Sequence, residues 1–140
     1  MTRGSRRDER GAIAVEVAVL APAFVFLMLL VVYAGKVSEA EANVDRAAAY
    51  AARAASLRQY PTDATDDANT VAAENLDTAG VPCRPLTTDV DTTNFRAGGT
   101  VTVTVTCDAS MADVTLLGVG GHRTFTATAT EVIDTYRSDP

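Results

Sequence analysis

An uncharged, almost wholly aliphatic run from Val17 to Gly35 constrains this chain more than any other feature. Together with Ala12 to Val15, it is about long enough for a helix to cross the hydrocarbon core of a membrane, which takes roughly 20 residues. A secretory signal would have an apolar region of only about 7–15 residues that ends at a small-residue cleavage site. Val32-Tyr33-Ala34 matches such a site, but the run is longer and passes straight into a helical pattern. The sequence therefore favours a transmembrane helix over a cleaved signal.

The charges on the two sides of this run predict its orientation. The preceding leader contains four arginines, which are Arg3, Arg6, Arg7 and Arg10. Residues 37–140 carry seven Arg against fifteen Asp and Glu, a net charge of −8. Because the cytoplasmic flanks of membrane helices are enriched in basic residues, we expect a single-pass protein of the cell membrane. Its N-terminus would be cytoplasmic and residues 36–140 extracytoplasmic. The acidic balance also argues against nucleic-acid binding.

The apolar pattern continues as a helix beyond the membrane run. The segment from Ser38 to Leu57 is rich in Ala and contains neither Gly nor Pro. An apolar stripe recurs at three- and four-residue steps through Val37, Val44, Ala47, Ala48, Ala51 and Ala55. The pattern predicts one helix from about Ala12 to Arg58, bent at Pro22 because proline removes a backbone hydrogen bond.

A second, shorter helix is expected after Pro61. Thr62 and Asp63 are candidate N-caps, and Asp66 and Asp67 suit the positive end of the helix dipole. Its expected apolar face consists of Ala68, Val71, Ala72, Leu76 and Ala79. Gly80 and Pro82 would end it.

The rest of the chain changes to the two-residue period of strands. Thr100 to Cys107 and Thr124 to Ile133 alternate strictly, and Arg84 to Val90 is a weaker strand. We therefore predict an α+β fold: a long N-terminal transmembrane helix that continues outward, a second short helix and about three antiparallel strands packed on the long helix. The expected organisation is a basic leader over 1–11, a membrane segment over 12–35, an outer helix over 36–60 and a small domain over 61–140.

Cys83 and Cys107 are the only cysteines, and both fall on the outer side of the predicted span. An even count in an oxidising compartment favours a disulfide, although two buried free thiols are the alternative. A hairpin centred near Phe95 would set the two cysteines opposite each other. The same register would turn Thr87 and Asp89 toward the valine face, so it requires a bulge or another pairing.

The chain offers little for catalysis or for a cofactor. His122 has no acid–base partner nearby in the sequence, so we interpret it as a loop residue. Asp89, Asp91 and Asn94 lack the spacing of a calcium loop and are interpreted as turn residues. One His and two Cys do not make a typical zinc site. The apolar stretch 114–119 fits either core packing or an interface. We predict no metal, no cofactor and no enzymatic activity.

Glu16 is the most informative polar residue because it enters an apolar helix. A carboxylate at the bilayer centre costs about 2.5–3.5 kcal/mol, and less near the interface, so it points to function by default. The alternative is that Glu16 lies close to the interface and reaches water or Arg10. If the chain were cut after Gly11, Ala12 would become the first residue and Glu16 the fifth.

Residues 6–57 accordingly resemble the N-terminal half of the TadE-like family, small pilin-like proteins of tight-adherence (Flp-type) pilus loci. The resemblance lies in Arg6, Arg7, Arg10, Gly11, Glu16 and Pro22. It implies a minor pilin or pilus-assembly protein, with Gly11 and Ala12 as a prepilin-peptidase processing site. It also implies that Glu16 and Pro22 are assembly or recognition residues. Its partners would be the membrane, other pilin-like subunits and the assembly machinery.

Two departures and one alternative accompany this interpretation. Flp-type major pilins are much shorter and usually have Tyr after the Glu, where this chain has Val17. These departures argue against a major subunit and leave cleavage open. The alternative function is a single-pass, membrane-anchored extracytoplasmic binding module, in which the span serves only as an anchor. The alanines outside the span, such as Ala47 and Ala51, could pack on the protein's own sheet or on neighbouring subunits, and the sequence does not decide between these.

Overall fold

The computed structural model describes the backbone of residues 5–110 and 121–137, and the side chains of residues 15–110 and 121–137. The elements follow in the order α1 (Ser5–Ser56), α2 (Pro61–Thr78), β1 (Cys83–Asp91), β2 (Thr100–Ser110) and β3 (His122–Val132). This order confirms the α+β fold: one long apolar helix, a second helix and a three-stranded antiparallel sheet. The chain divides into two units, Met1–Lys36 and Val37–Pro140. The expected apolar stretch 114–119 lies outside the described residues.

The predicted long helix is a single helix that includes Pro22, and it begins at Ser5, seven residues before the expected start near Ala12. It ends at Ser56, slightly before the expected Arg58. The reason lies in the last turn, where the amides of Leu57 and Arg58 donate to the carbonyls three residues back, Ala54 and Ala55. Such bonds tighten the end of an α-helix into a 3₁₀ turn.

The second unit is built around the alanine stripe of α1. Ala47, Ala51, Ala52 and Ala55 are fully buried, and Val44 and Ala48 are 1% exposed. They share one hydrophobic cluster with the buried face of α2 and with Val101, Val103 and Val105 of β2. Small side chains allow helices and sheet to approach closely, so a thin core forms with few aromatic residues.

The start of α2 differs from the expectation, whereas its end agrees with it. Tyr60 is the N-cap, without a side-chain hydrogen bond, and Pro61 occupies the first turn. The predicted caps Thr62 and Asp63 are therefore wrong, because proline's fixed φ suits the first helical position and makes Tyr60 the N-cap, two residues before Thr62. Gly80, at φ 69°, ends it. The amide of Gly80 donates to the backbone carbonyl of Asp77, and the amide of Val81 donates to the carbonyl of Leu76. These two bonds form a Schellman motif.

The buried face of α2 is narrower than predicted. Its buried residues are Ala64, Ala68, Ala72 and Leu76. Val71 is only half-buried, and Ala79 is exposed because it lies beyond the last residue of the helix as the C-cap.

Asp67 forms an ion pair with Arg58 across the α1–α2 connection. The hydrogen bond from Arg58 and the charge of Asp67 raise the pKa of the guanidinium.

The strands form one antiparallel sheet in the order β1-β2-β3. As predicted, the valines of β2 face the core while its threonines face outward. Phe125 and Ala127 of β3 are buried on the same side as these valines. The outward threonines pair across the two strands through side-chain hydrogen bonds of 2.9–3.3 Å, which join Thr102 to Thr130, Thr104 to Thr128 and Thr106 to Thr126.

The C-terminal tail packs against the end of the second unit where α1 ends. The guanidinium of Arg137 lies 4.7 Å from the ring centroid of Phe95, in the turn between β1 and β2. The same group donates a hydrogen bond to the carbonyl of Arg58. A cation over an aromatic ring contributes roughly 0.5–1 kcal/mol at exposed sites. The tail therefore links the β1–β2 turn to the α1–α2 connection.

Candidate membrane and assembly site

The candidate site lies on the first unit and begins with the apolar surface of α1. The described helix Val15–Ser56 contains a stretch with a mean hydropathy of 2.7 that is not buried anywhere in the structure. Its large side chains point outward, and Phe24, Phe26 and Met28 are 60–74% exposed. A helix that is apolar on all sides and uncovered by its own chain suits a lipid environment. Among the described residues, α1 is the one helix that is long enough and apolar enough to cross a membrane.

Glu16 lies in α1 between Val15 and Val17, and its side chain is exposed. It is the only charged residue from Val15 to Gly35. The structure therefore presents one carboxylate on an otherwise apolar helix surface. In a membrane such a group is stabilised either by reaching the interface or by pairing with a cation.

Gly11, Ala12 and Pro22 all lie within α1. The side chains around Gly11 and Ala12 are outside the described residues, so their role as a processing site stays a prediction. Pro22 lacks the N–H that an α-helix uses at that position, and α1 nevertheless continues through it. Its role in assembly also stays a prediction.

The structure assigns the outer alanines to the protein's own core. Ala47, Ala51 and Ala55 are 0% exposed within the chain itself. They pack with α2 and the sheet, which settles the choice that the sequence left open. A neighbouring subunit therefore cannot use this face of the folded protein. Contacts made through α1 have to use its apolar N-terminal stretch or its other exposed residues.

Cys83 and Cys107 form the expected disulfide, with Cα atoms 5.0 Å apart. The two cysteines do not lie directly opposite each other: Cys83 lies opposite Ala109, and Cys107 lies opposite Leu86. The register shifts between Cys83 and Leu86, which is the bulge that the valine pattern required. Beyond the shift, Val90 pairs with Val103, and Asp89 is exposed on the outer face.

His122 is the first residue of β3 and has a partner that the sequence reading missed. Its Nδ1 lies 3.1 Å from Oδ1 of Asp108 on β2. The strand register puts Asp108 opposite Thr124, so the pair is diagonal on the outer face. Only the strand register could have revealed this pair. Within the described residues, no group of three or more His, Cys, Asp or Glu side chains is arranged to hold a metal.

Among the described residues, grooves open on the second unit at two places. One, of about 400 Å³, lies between α1 and α2 and is lined by Asn43, Arg46, Tyr50, Glu74, Asn75, Thr78 and Ala79. The other, of about 540 Å³, lies between α2 and the start of β1, beside Cys83 and Leu86. The first groove combines an Arg, a Glu and an exposed Tyr.

In the part of the chain that the structure describes, these features define a protein with a candidate membrane helix near its N-terminus, followed by a small disulfide-bonded α+β unit. Comparison with family models places the N-terminal segment more closely: residues 11–53 match the model of the TadE-like protein. The match confirms the family resemblance and covers Gly11, Ala12, Glu16 and Pro22. The sheet and α2 lie outside it. No curated protein and no solved structure matches the chain.

Proposed function

We propose that this chain is a minor pilin or pilus-assembly membrane protein that acts structurally, through packing of its membrane helix with other pilin-like subunits. The observation that carries the proposal is the exposed apolar surface of α1 with its single carboxylate, Glu16, inside the segment matched to TadE-like proteins. The burial of Ala47 and Ala51 supports it, because it leaves the membrane segment as the main apolar surface for assembly.

In this proposal the chain has four parts: a basic cytoplasmic leader (1–11), a membrane segment (12–35), an extracytoplasmic continuation of the helix (36–60) and a small extracytoplasmic domain (61–140). The orientation follows the basic leader and the acidic outer segment. The role is structural rather than enzymatic.

Processing and assembly are coupled through Glu16. A prepilin peptidase cuts between Gly11 and Ala12, which creates a positively charged α-amine at Ala12. In an assembly, the carboxylate of Glu16 in one subunit is neutralised by the α-amine of a neighbour, which offsets the cost of burying both charges. An unprocessed chain lacks that amine, so only processed chains assemble.

Glu16→Ala tests the assembly role. The variant should insert into the membrane as the parent chain does, but it should lose most of its co-purification with pilin-like subunits. Glu16→Gln should behave in the same way, because the amide keeps the size of the side chain and removes its charge. Glu39→Ala is the matched control, since Glu39 is an exposed glutamate of α1 beyond the apolar run.

The alternative, an anchored binding module, gives the opposite result. If the span were only an anchor, Glu16→Ala would leave every interaction unchanged. Arg46→Ala in the α1–α2 groove would instead abolish the binding of a partner or ligand. Unchanged co-purification of Glu16→Ala would sink the assembly proposal.

A further inference from the structure

The two edges of the sheet differ in how they are protected. β1 contains Pro85, which has no N–H to offer, and the charged Asp89 and Asp91, and its register shifts near its start. The residues of β3 between Arg123 and Glu131 include no charge and no proline. Within the described part of the chain, β2 is the only strand that pairs with β3. An edge without such protective features is a template for strand addition.

The hydrogen bonds at the end of β3 show which backbone groups face outward. The amide of Ile133 donates to Gly99 (2.9 Å), and its carbonyl accepts from Gly98 (3.2 Å). Both backbone groups of Ile133 therefore point toward β2. Because the side to which the N–H and C=O groups point alternates from one residue to the next along a strand, the other odd-numbered residues of β3 also point these groups toward β2. The backbone groups of four exposed threonines therefore point away from the sheet: Thr124, Thr126, Thr128 and Thr130.

The β3 sequence is complementary to itself in the antiparallel sense. With Ala127 opposite Ala127 of a second copy, Arg123 of each copy lies opposite Glu131 of the other. The interface therefore contains two pairs of opposite charge, one near each end. Phe125 then faces Ala129, so a large side chain meets a small one. Threonine faces threonine, as in the β2–β3 pair of Thr104 and Thr128, whose hydroxyls are 3.0 Å apart. A parallel pairing in register would instead place like charges together.

The direction of β3 determines which copies can pair. Arg53 lies 3.8 Å from Glu131, and Arg137 bonds to the carbonyl of Arg58, so β3 ends beside the end of α1. At the other end, α2 finishes beside Asn43 of α1 and beside the start of β1. Ala109 of β2 pairs with both the start of β1 and the start of β3, so within the second unit α1 and β3 run in the same direction. Two antiparallel copies carry their Val37 ends at opposite ends of the joined sheet. Because each chain continues from Val37 directly into its apolar stretch, this arrangement suits chains presented from two facing membranes.

We propose that β3 pairs edge to edge with β3 of a second copy of this chain presented from a facing membrane, which joins two three-stranded sheets into one. The contact goes beyond the proposed assembly of membrane helices and rests on that proposal only for the membrane anchor. Four threonines per copy supply the outward backbone groups. The ion pairs between Arg123 and Glu131 set the register.

A vesicle-clustering experiment tests the pairing with the full chain. The chain is reconstituted into phosphatidylcholine vesicles, and clustering is followed by light scattering. Wild-type vesicles should cluster. Arg123→Glu and Glu131→Arg should each weaken clustering about tenfold, because each places like charges opposite each other at both ends of the interface.

Mixing the variants provides the decisive control. Vesicles carrying R123E should cluster with vesicles carrying E131R, since each variant then meets its opposite charges. The double variant R123E/E131R should cluster with itself. E131R makes this acidic chain less acidic, so a general charge effect would strengthen its clustering, whereas the antiparallel pairing predicts that it weakens. Together with that loss, recovery in the double variant shows that residues 123 and 131 of the two copies face each other.

A backbone variant tests the same edge without changing charge. Thr126→Pro removes an outward N–H and leaves the β2–β3 hydrogen bonds in place, so it should abolish clustering while far-UV circular dichroism is unchanged. Thr128→Pro provides a second test if Thr126→Pro perturbs the fold. Thr104→Val, an outward-facing change on the central strand, should cluster as the wild type does.

Flotation on a density gradient distinguishes failure of the pairing from failure of the anchor. Chains that float with the vesicles but leave them dispersed would overturn the pairing and leave the anchor intact. Clustering that ignores the single reversals and their mixture would also overturn it. Chains that do not float would overturn both the anchor and this contact.

Discussion

Cys83 is disulfide-bonded to Cys107 although each faces a different residue across the β1–β2 pair, Ala109 and Leu86 respectively. The register shift between Cys83 and Leu86 makes this diagonal bridge compatible with a continuous valine face. The bond ties the start of β1 to the fully buried Cys107 of the central strand. It therefore closes the β1–β2 hairpin at the end opposite its turn.

Removal of the disulfide should destabilise the protein. The bridge spans a sequence separation of 24 residues. Closing a loop of that size stabilises by about 3 kcal/mol in the chain-entropy model. Cys83→Ser/Cys107→Ser should lower the free energy of unfolding by about that amount, as measured by urea denaturation. The reduced wild-type chain is the control and should show a similar loss; equal stability with and without the bridge would contradict this role.

The strands and the disulfide show where sequence reasoning succeeds. Strict alternation predicted β2 and β3, because a two-residue period leaves only one way to bury Val101, Val103 and Val105. The parity of the cysteines predicted that they pair. The register was not predictable from a symmetric hairpin, since the bulge depends on which residues must face the core.

Other features required the three-dimensional structure. The stripe through Ala47 and Ala51 predicted a packed face but not its partner, because Ala is both a good helix former and a small interface residue. Tyr60 as N-cap is not predictable from capping preferences, because its side chain makes no capping hydrogen bond and the fixed φ of Pro61 determines where the helix starts. The pair of Asp108 and His122 was missed because its members are 14 residues apart and meet only through the strand register.

The alanine core predicts strong intolerance of larger side chains. Ala51 of α1 is 0% exposed and belongs to the hydrophobic core of the second unit. Ala51→Leu should reduce stability by about 1–3 kcal/mol, because an inserted isobutyl group has no free volume. Ala49→Leu is the matched control on the exposed face of α1 and should change stability by less than about 0.5 kcal/mol. Thermal unfolding of the two variants checks this prediction, and similar losses would contradict the assigned core.

Two glycines, Gly99 in the β1–β2 turn and Gly80 at the end of α2, should differ in the cost of replacement by alanine. A Cβ at Gly99 would lie 2.0 Å from the carbonyl oxygen of Asn94, which already accepts bonds from Arg96 and Thr100. Gly99→Ala should therefore cost about 2–3 kcal/mol, since this backbone cannot move away freely. Gly80 meets no atom within 4 Å but has φ +69°. Gly80→Ala should cost only about 1 kcal/mol. Denaturant midpoints should rank the two in this order.

The same turn predicts a small acid-dependent loss of stability. The Thr93 amide donates to Oδ1 of Asp91 (2.9 Å), and this backbone hydrogen bond lowers the pKa of the carboxyl below its ordinary value. A lowered pKa stabilises the folded state above the unfolded pKa of about 4, and this stabilisation is lost as the pH falls through the folded pKa. Asp91→Asn keeps an acceptor oxygen and does not titrate. Its urea midpoint of unfolding should therefore fall less than that of the wild type as the pH is lowered from 5 through the folded pKa of Asp91. Asp89→Asn, on the exposed outer face, is the control.

The N-terminal sequence of the chain recovered from membranes that contain a prepilin peptidase tests the central claim most directly. The account predicts a start at Ala12, which leaves Glu16 fifth in the processed chain and the apolar helix intact. Gly11→Val should block this start and leave the longer product. A start at Gly35 would contradict the account, because cleavage after Ala34 would remove the helix on which anchoring and assembly depend. A chain that still begins at Met1 in the presence of the peptidase would contradict the proposed link between processing and assembly.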